Sequence, residues 1–480
     1  MKTSDDMRFP GGWPVKLAVA ASLTLMLTGC ATLSEDGGFG GVSESVKERL
    51  GKDAKWVRSE SDAISARAAV QQMLGKPLSV DDAVQIALLN NQGLQATYAE
   101  LGVAEADLVQ AGRLRNPGFS FARLTRGDEK EIERAFFFDF AGLVTMPLRT
   151  KLEGRRFEAT KLRVAAETLQ VAAETRKAFF SAVAAGEAVK YMDQVKLAAE
   201  ASADLARRMA RAGNWGKLDQ AREQLFYAEA TAQLARARQS FVSNRERLTR
   251  LMGLWGDDVR FSLPERLPDL PASPRELTDI ESVALKQRLD VQSAKQETES
   301  IASSLGLSKA TRFINVLELG YLRNSETDEP RQTGYEIEIS IPLFDWGGAR
   351  VAKAESIYMQ SVNRLAETAI NARSQVRDAY SGYRTAYDIA KHYRDEIVPL
   401  RKKIADENLL RYNGMLIGVF ELIADAREQV MSVNAYIESL RDFWLMESDL
   451  DMALTGKFSS GAGATFTRAV ATDGSSGGGH

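Results

Sequence analysis

The chain of 480 residues is 44% hydrophobic and 26% charged, which excludes wholesale disorder. Its 62 Lys+Arg against 65 Asp+Glu leave a formal charge of −3, without the basic surplus a dedicated nucleic-acid binder needs. One Cys and two His exclude a disulfide framework and a Cys/His metal cluster.

Lys2, Arg8 and Lys16 precede an apolar run from Leu17 to Leu27. A basic head before a short apolar stretch reads as a secretory signal, too short to span a bilayer comfortably. The run ends in Leu27-Thr28-Gly29-Cys30, which resembles the bacterial lipobox. The resemblance implies cleavage before Cys30 and lipid on its sulfur and new amino group. With Ala31 next, it also implies sorting to the outer membrane. Residues 1–29 are then a signal peptide, and 30–80 a lipidated N-terminal segment. Each buried acyl CH₂ contributes about 0.8 kcal/mol, so several chains anchor stably. No later segment is apolar enough for a transmembrane helix.

The body reads as a tandem duplication. Pro147-Leu148 recurs as Pro342-Leu343, Ala87-Leu88 as Ala284-Leu285, and Ala221-Arg222-Glu223-Gln224 as Ala426-Arg427-Glu428-Gln429. The shared order of these matches marks two copies, 81–263 and 277–456, joined by a Pro-rich linker at 264–276. Each copy repeats one grammar. A first helix (81–114, 277–310) leads into two strands. A very long helix follows (148–212, 346–411), then a break at Gly213 or Gly414, where glycine permits the turn. A return helix closes the copy (217–253, 418–454). At 1.5 Å per residue, the long helix matches the two shorter ones laid end to end, a two-helix rod of about 100 Å.

The long helices carry coiled-coil spacing. Val362, Leu365, Ala369, Ala372, Val376, Ala379, Tyr383, Ala386 and Ala390 keep a 3-4 alternation. In copy one, Leu162, Ala165, Leu169, Ala172, Phe179 and Val183 do the same, with Arg176 as the exception.

The strands alternate. Tyr335, Ile337, Ile339 and Ile341 share one face, and Glu336, Glu338 and Ser340 the other. Leu317, Leu319 and Tyr321 oppose Glu318 and Gly320; Phe119 and Phe121 oppose Ser120 and Ala122. Phe136, Phe138 and Phe140 oppose Phe137, Asp139 and Ala141, a less clean split. Both a membrane β-barrel strand and a half-buried soluble sheet give this pattern. Four strands cannot close a barrel, and lipid does not tolerate open edges, so strands that cross a membrane must be pooled from several chains.

Over about 80–455 the sequence resembles the TolC outer-membrane efflux family. The resemblance rests on the two-copy order and on Asn116-Pro117 before the first strand. It rests above all on Ile341-Pro342-Leu343-Phe344-Asp345-Trp346-Gly347-Gly348-Ala349-Arg350 after the last, with Tyr412–Asn434 resembling the second hairpin tip. It implies a mostly α fold with a small β part. Coiled-coil hairpins form an α-barrel through the periplasm, and four strands per chain join a trimeric, twelve-stranded transmembrane β-barrel. The implied partners are two identical subunits, a periplasmic adaptor, an inner-membrane pump and outer-membrane lipid. Copy one reaches its Ala-Arg-Glu-Gln in 11 residues from Gly213, whereas copy two takes 15 from Gly414, which predicts a shorter first tip.

Glu318, Glu336 and Glu338 are candidate lumen-facing carboxylates, which favour cations over anions. Glu421 and Asp425 lie near the second hairpin tip and Asp219 near the first, candidate carboxylates for the closed periplasmic entrance that the resemblance implies. No phosphate loop, nucleophile elbow or HExxH occurs, so no enzyme activity and no cofactor or metal is expected. The tail 457–480 is low in complexity and reads as disordered. The competing reading is a lipid-anchored periplasmic coiled-coil adaptor or structural rod. Such a protein would add compact β domains around a single hairpin, whereas here two hairpins alternate with strands.

Overall fold

The computed structural model describes residues 32–311, 317–339 and 343–456. Cys30, the tail 457–480 and the strand end Ser340-Ile341-Pro342 lie outside them. Helices dominate: α1 (Phe39–Leu50), α2 (Glu60–Leu74), α3 (Val80–Asn90) and α4 (Gln92–Ala111) precede strands β1 (Gly118–Arg126) and β2 (Glu129–Asp139). The long α5 (Phe140–Arg211) and its return α6 (Lys217–Leu251) follow. Copy two repeats this with α7 (Ile280–Gln287), α8 (Leu289–Ala310), β3 (Leu317–Glu326), β4 (Gln332–Ile339), α9 (Gly348–His392), α10 (Val398–Asn413) and α11 (Val419–Thr455).

The chain divides into two compact units. The first holds Glu100–Thr160 and Lys295–Arg364 with the described residues before Phe39; the second holds the rest. In the first unit the four strands form one antiparallel sheet in the order β1-β2-β3-β4. The β2–β3 ladder joins the two copies, and β1 and β4 are its edges. Gly127 and Asp128, both at positive φ, make the two-residue turn that right-twisted hairpin strands prefer.

The second unit is a helical core. The predicted seam is buried from Ala372 to Ala390, including Val376, Ala379, Tyr383 and Ala386. Opposite lie Phe179, Phe180 and Val183 of α5, and Ile437, Leu440 and Phe443 of α11. The seam's one polar exception, Arg176, reaches Asp451 of α11 at 3.3 Å.

Several boundaries differ from the sequence expectation. Each first helix is broken in two, at Asn91 and at Arg288, equivalent positions of the duplication. Asn91 accepts from the Leu94 amide (2.9 Å) and donates to the Leu251 carbonyl (2.8 Å); Asn90 donates to the carbonyl of Gly253 (2.7 Å). Arg288, 1% exposed, binds Asp290, Gln375 and the Ala453 carbonyl. In both copies a side chain pinned to the C-terminus of the return helix outbids the local helix ladder. The long helix of copy one starts at Phe140, with Pro147 inside it. That of copy two is interrupted by a π-helical segment at Tyr393–Ile397. Pro399 has no N–H for the carbonyl one turn back, and the ladder widens by one residue, Val398 donating to Tyr393.

The tips correct two expectations. Gly213 has φ +79°, but Gly414 has φ −79°; the left-handed residue there is Met415, at +59°. The first tip is not shorter: five residues separate the helices in each copy, 212–216 and 414–418. The extra residues before the second Ala-Arg-Glu-Gln lie mainly within α11, as most of one helical turn.

Candidate functional site

The site is built first from the sheet. Strand register decides which side chains share a face, since cross-strand partners point the same way. Phe119, Phe136, Tyr321 and Tyr335 form one row across all four strands. Phe138, Leu319 and Ile337 form the next, and Leu317 pairs with Ile339. These side chains are open to the outside: Phe119 is 57% exposed and Tyr335 83%. Beyond them, Phe140 and Val144 continue the exposed apolar surface onto the first turns of α5.

The other face is acidic. Asp139, Glu318 and Glu338 form one row, and Glu336 lies opposite Gly320 in the next. Glu129, Glu131, Glu133 and Glu326 share the face, with Arg126 as its only strand cation. Like charges directly opposite one another destabilise a sheet unless water or cations separate them, so this face needs a wet surrounding. Phe137, the residue that blurred the alternation, also lies here. It packs on Gly320, where a Cβ would come within 3.2 Å of its ring and 3.3 Å of Glu336 Cβ. The three predicted lumen-facing glutamates, Glu318, Glu336 and Glu338, therefore do share one face, joined by Asp139. That aspartate also accepts from the Gly142 amide (2.6 Å) at the start of α5 and lies 3.7 Å from Arg115.

The hairpin ends of the second unit are the other candidate region. Glu421 is exposed, whereas Asp425 is half-buried and accepts from Asn408 Nδ2 at 3.1 Å, tying α11 to α10. Asp219 lies 3.7 Å from Arg222, one turn along α6. Sequence reasoning missed the link between the hairpins. Glu223, whose side chain is 2% exposed, accepts from Ser202 (2.8 Å) and lies 3.7 Å from Arg427 of α11. The Arg427 guanidinium sits 4.2 Å from the Phe226 ring centroid. The Ala-Arg-Glu-Gln repeats contain both partners, but they mark duplication and do not say that Glu of one copy faces Arg of the other.

Among the described residues no three His, Cys, Asp or Glu side chains converge as a metal site. A cavity of about 860 Å³ among α5, α6 and α11 holds the Lys177–Asp449 ion pair at 2.7 Å and no His or Cys. No described helix is long and apolar enough to cross a membrane.

Comparison with known proteins fits this arrangement. Residues 281–405 match the family described as outer membrane efflux protein. The fold matches the CmeC outer membrane channel of Campylobacter jejuni with a TM-score of 0.68 at 17% identity, over 79% of this chain and 86% of that one. A membrane protein from Pseudomonas aeruginosa matches with a TM-score of 0.68 at 19% identity, over 78% and 92%. Residues 281–405 thus match an outer membrane efflux family, and most of the chain shares the fold of solved outer membrane channels. A curated relative is the cobalt-zinc-cadmium resistance protein CzcC of Cupriavidus metallidurans, 24% identical over 62% of this chain and 73% of its own length. Strands set between paired helices in both copies argue against the adaptor reading, which calls for separate compact β domains.

Proposed function

We infer that the protein is the outer-membrane channel of a tripartite efflux system, a passive conduit from periplasm to exterior. The observation that carries this is the four-stranded sheet: apolar across one face, acidic across the other, with both edges unpaired among the described residues. An apolar outer face suits lipid and a charged inner face suits water. Unpaired strand edges are too costly in lipid to persist, so β1 of one copy meets β4 of the next. Three copies close a barrel of twelve strands. Energy comes from an inner-membrane pump, reached through a periplasmic adaptor at the hairpin ends, and the pump sets the cargo.

In this reading Glu318, Glu336 and Glu338 face the lumen with Asp139 and give it cation preference. Glu421, Asp425 and Asp219, three copies of each, gather near the periplasmic entrance, where mutual repulsion and bound cations set how far it opens. Cys30 carries lipid, and residues 1–29 are removed. The domain plan is the lipidated segment 30–80, two efflux repeats at 81–263 and 277–456 with the linker 264–276, and the tail 457–480. The test is detergent-extracted protein run on a denaturing gel with and without heating, beside a mass measurement of the unheated species. A trimer that collapses to monomer only on heating is expected. A monomer in both lanes and in solution would refute the conduit.

A further inference from the structure

The apolar face of the sheet also carries charge, and all of it has one sign. By register, Arg123, Lys130, Arg134 and Arg323 lie on the same face as Phe119, Phe136 and Tyr321. No strand carboxylate shares that face; every one lies on the other. The four cations sit on the hairpin side of the aromatic row, away from α5 and α9. Arg134 stands opposite Phe121, and its guanidinium lies 6.0 Å from that ring's centroid. Arg123 and Arg323 are exposed, and none of the four makes an ion pair among the described residues.

Such a surface is amphipathic along the strand direction. Aromatic and branched side chains come first, and then a basic rim spans β1, β2 and β3. Neighbouring strands lie about 4.8 Å apart, so the rim covers roughly 10 Å. Long basic side chains beside an apolar band extend their heads to the level where a bilayer becomes polar. Guanidinium forks match phosphate oxygens pairwise, and no strand carboxylate shares the face of this rim.

We propose that this rim binds the phosphate groups of an anionic, phosphorylated lipid in the outer leaflet, whose acyl chains lie on the aromatic rows below. The inference rests on the membrane placement of the sheet argued above. It goes further, because a neutral bilayer would leave four like charges without a counterion.

The test titrates purified protein with phosphorylated lipid A and with its dephosphorylated form in neutral detergent, reading bound lipid by native mass spectrometry. Preferential retention of the phosphorylated lipid is expected. Replacing Arg123, Arg134 or Arg323 by Gln should weaken retention about fivefold each, and all three together roughly 100-fold. Arg126→Gln, on the opposite face, should leave it unchanged. Conductance in neutral planar bilayers is measured on the same samples. Protein that conducts but binds both lipids equally, or a triple variant that binds like the parent, overturns the lipid site and leaves the conduit standing. Protein that neither trimerises nor conducts overturns the conduit itself.

Discussion

Glu447 of α11 is a carboxyl in an unfavourable place. Burial raises its pKa above the ordinary 4.5, and Asp451, one turn further on, adds repulsion that Arg275 and Arg176 only partly offset. Arg275 and Arg176 are themselves bound to Asp451, at 2.7 and 3.3 Å. The group therefore favours its protonated form in the fold more than in the unfolded chain. Below 4.5 both states hold the proton and nothing is lost. As pH rises through the raised pKa the charged form accumulates and stability falls, with the full cost present above it. Glu447→Gln removes the charge and keeps the shape. The variant is expected to melt at a higher temperature than the parent at neutral pH, with the gain shrinking to nothing as pH falls to about 4.5. A gain independent of pH would mean that packing, not charge, governs this position.

At the scale of elements, the two tips offer an internal control. They have equal length, yet the left-handed backbone falls on Gly213 in one and on Met415, not Gly414, in the other. A Cβ at Gly414 would sit 3.5 Å from the Arg411 and Leu410 carbonyls, ordinary contact. Gly213→Ala forces a side chain into a conformation that costs roughly 1–2 kcal/mol, whereas Gly414→Ala is expected to be neutral or slightly stabilising. Met415→Gly should stabilise by relieving the same strain. Chemical denaturation of the three variants checks the order, and equal losses at Gly213 and Gly414 would contradict the backbone assignment. Both glycines look alike in sequence because the sign of φ is not written there. What was legible follows from local periodicity. The heptad seam emerged buried at Ala372, Val376 and Tyr383, and the alternating strands emerged with one acidic and one apolar face. What was not legible depends on partners far along the chain. Asn91 bends its helix through a carbonyl 160 residues away, and Arg288 through one 165 residues away. The π segment had a local signal in Pro399, but a proline alone does not say whether a helix kinks, widens or stops.

For the whole molecule, two devices compete to explain attachment to a membrane, and they separate cleanly. A lipid on Cys30, as proposed, would hold the chain from one end, whatever the sheet does. A barrel would hold it through the apolar face, where Phe119, Phe136, Tyr321 and Ile339 are each more than half exposed in the single chain. Burying such side chains contributes about 1.5–3 kcal/mol each, so a sheet that is truly in lipid makes the acyl anchor dispensable for retention. Cys30→Ser is therefore expected to lose all incorporation of labelled fatty acid, yet still to sediment with membranes and need detergent for extraction. Continued labelling would show that the acyl chains sit elsewhere. Loss of label together with release into the soluble fraction would show that the lipid alone had held the protein, and that its apolar strands face another protein instead of a bilayer. Retention without label leaves only the sheet to account for the attachment, and a four-stranded sheet with two open edges reaches that state only by joining its neighbours.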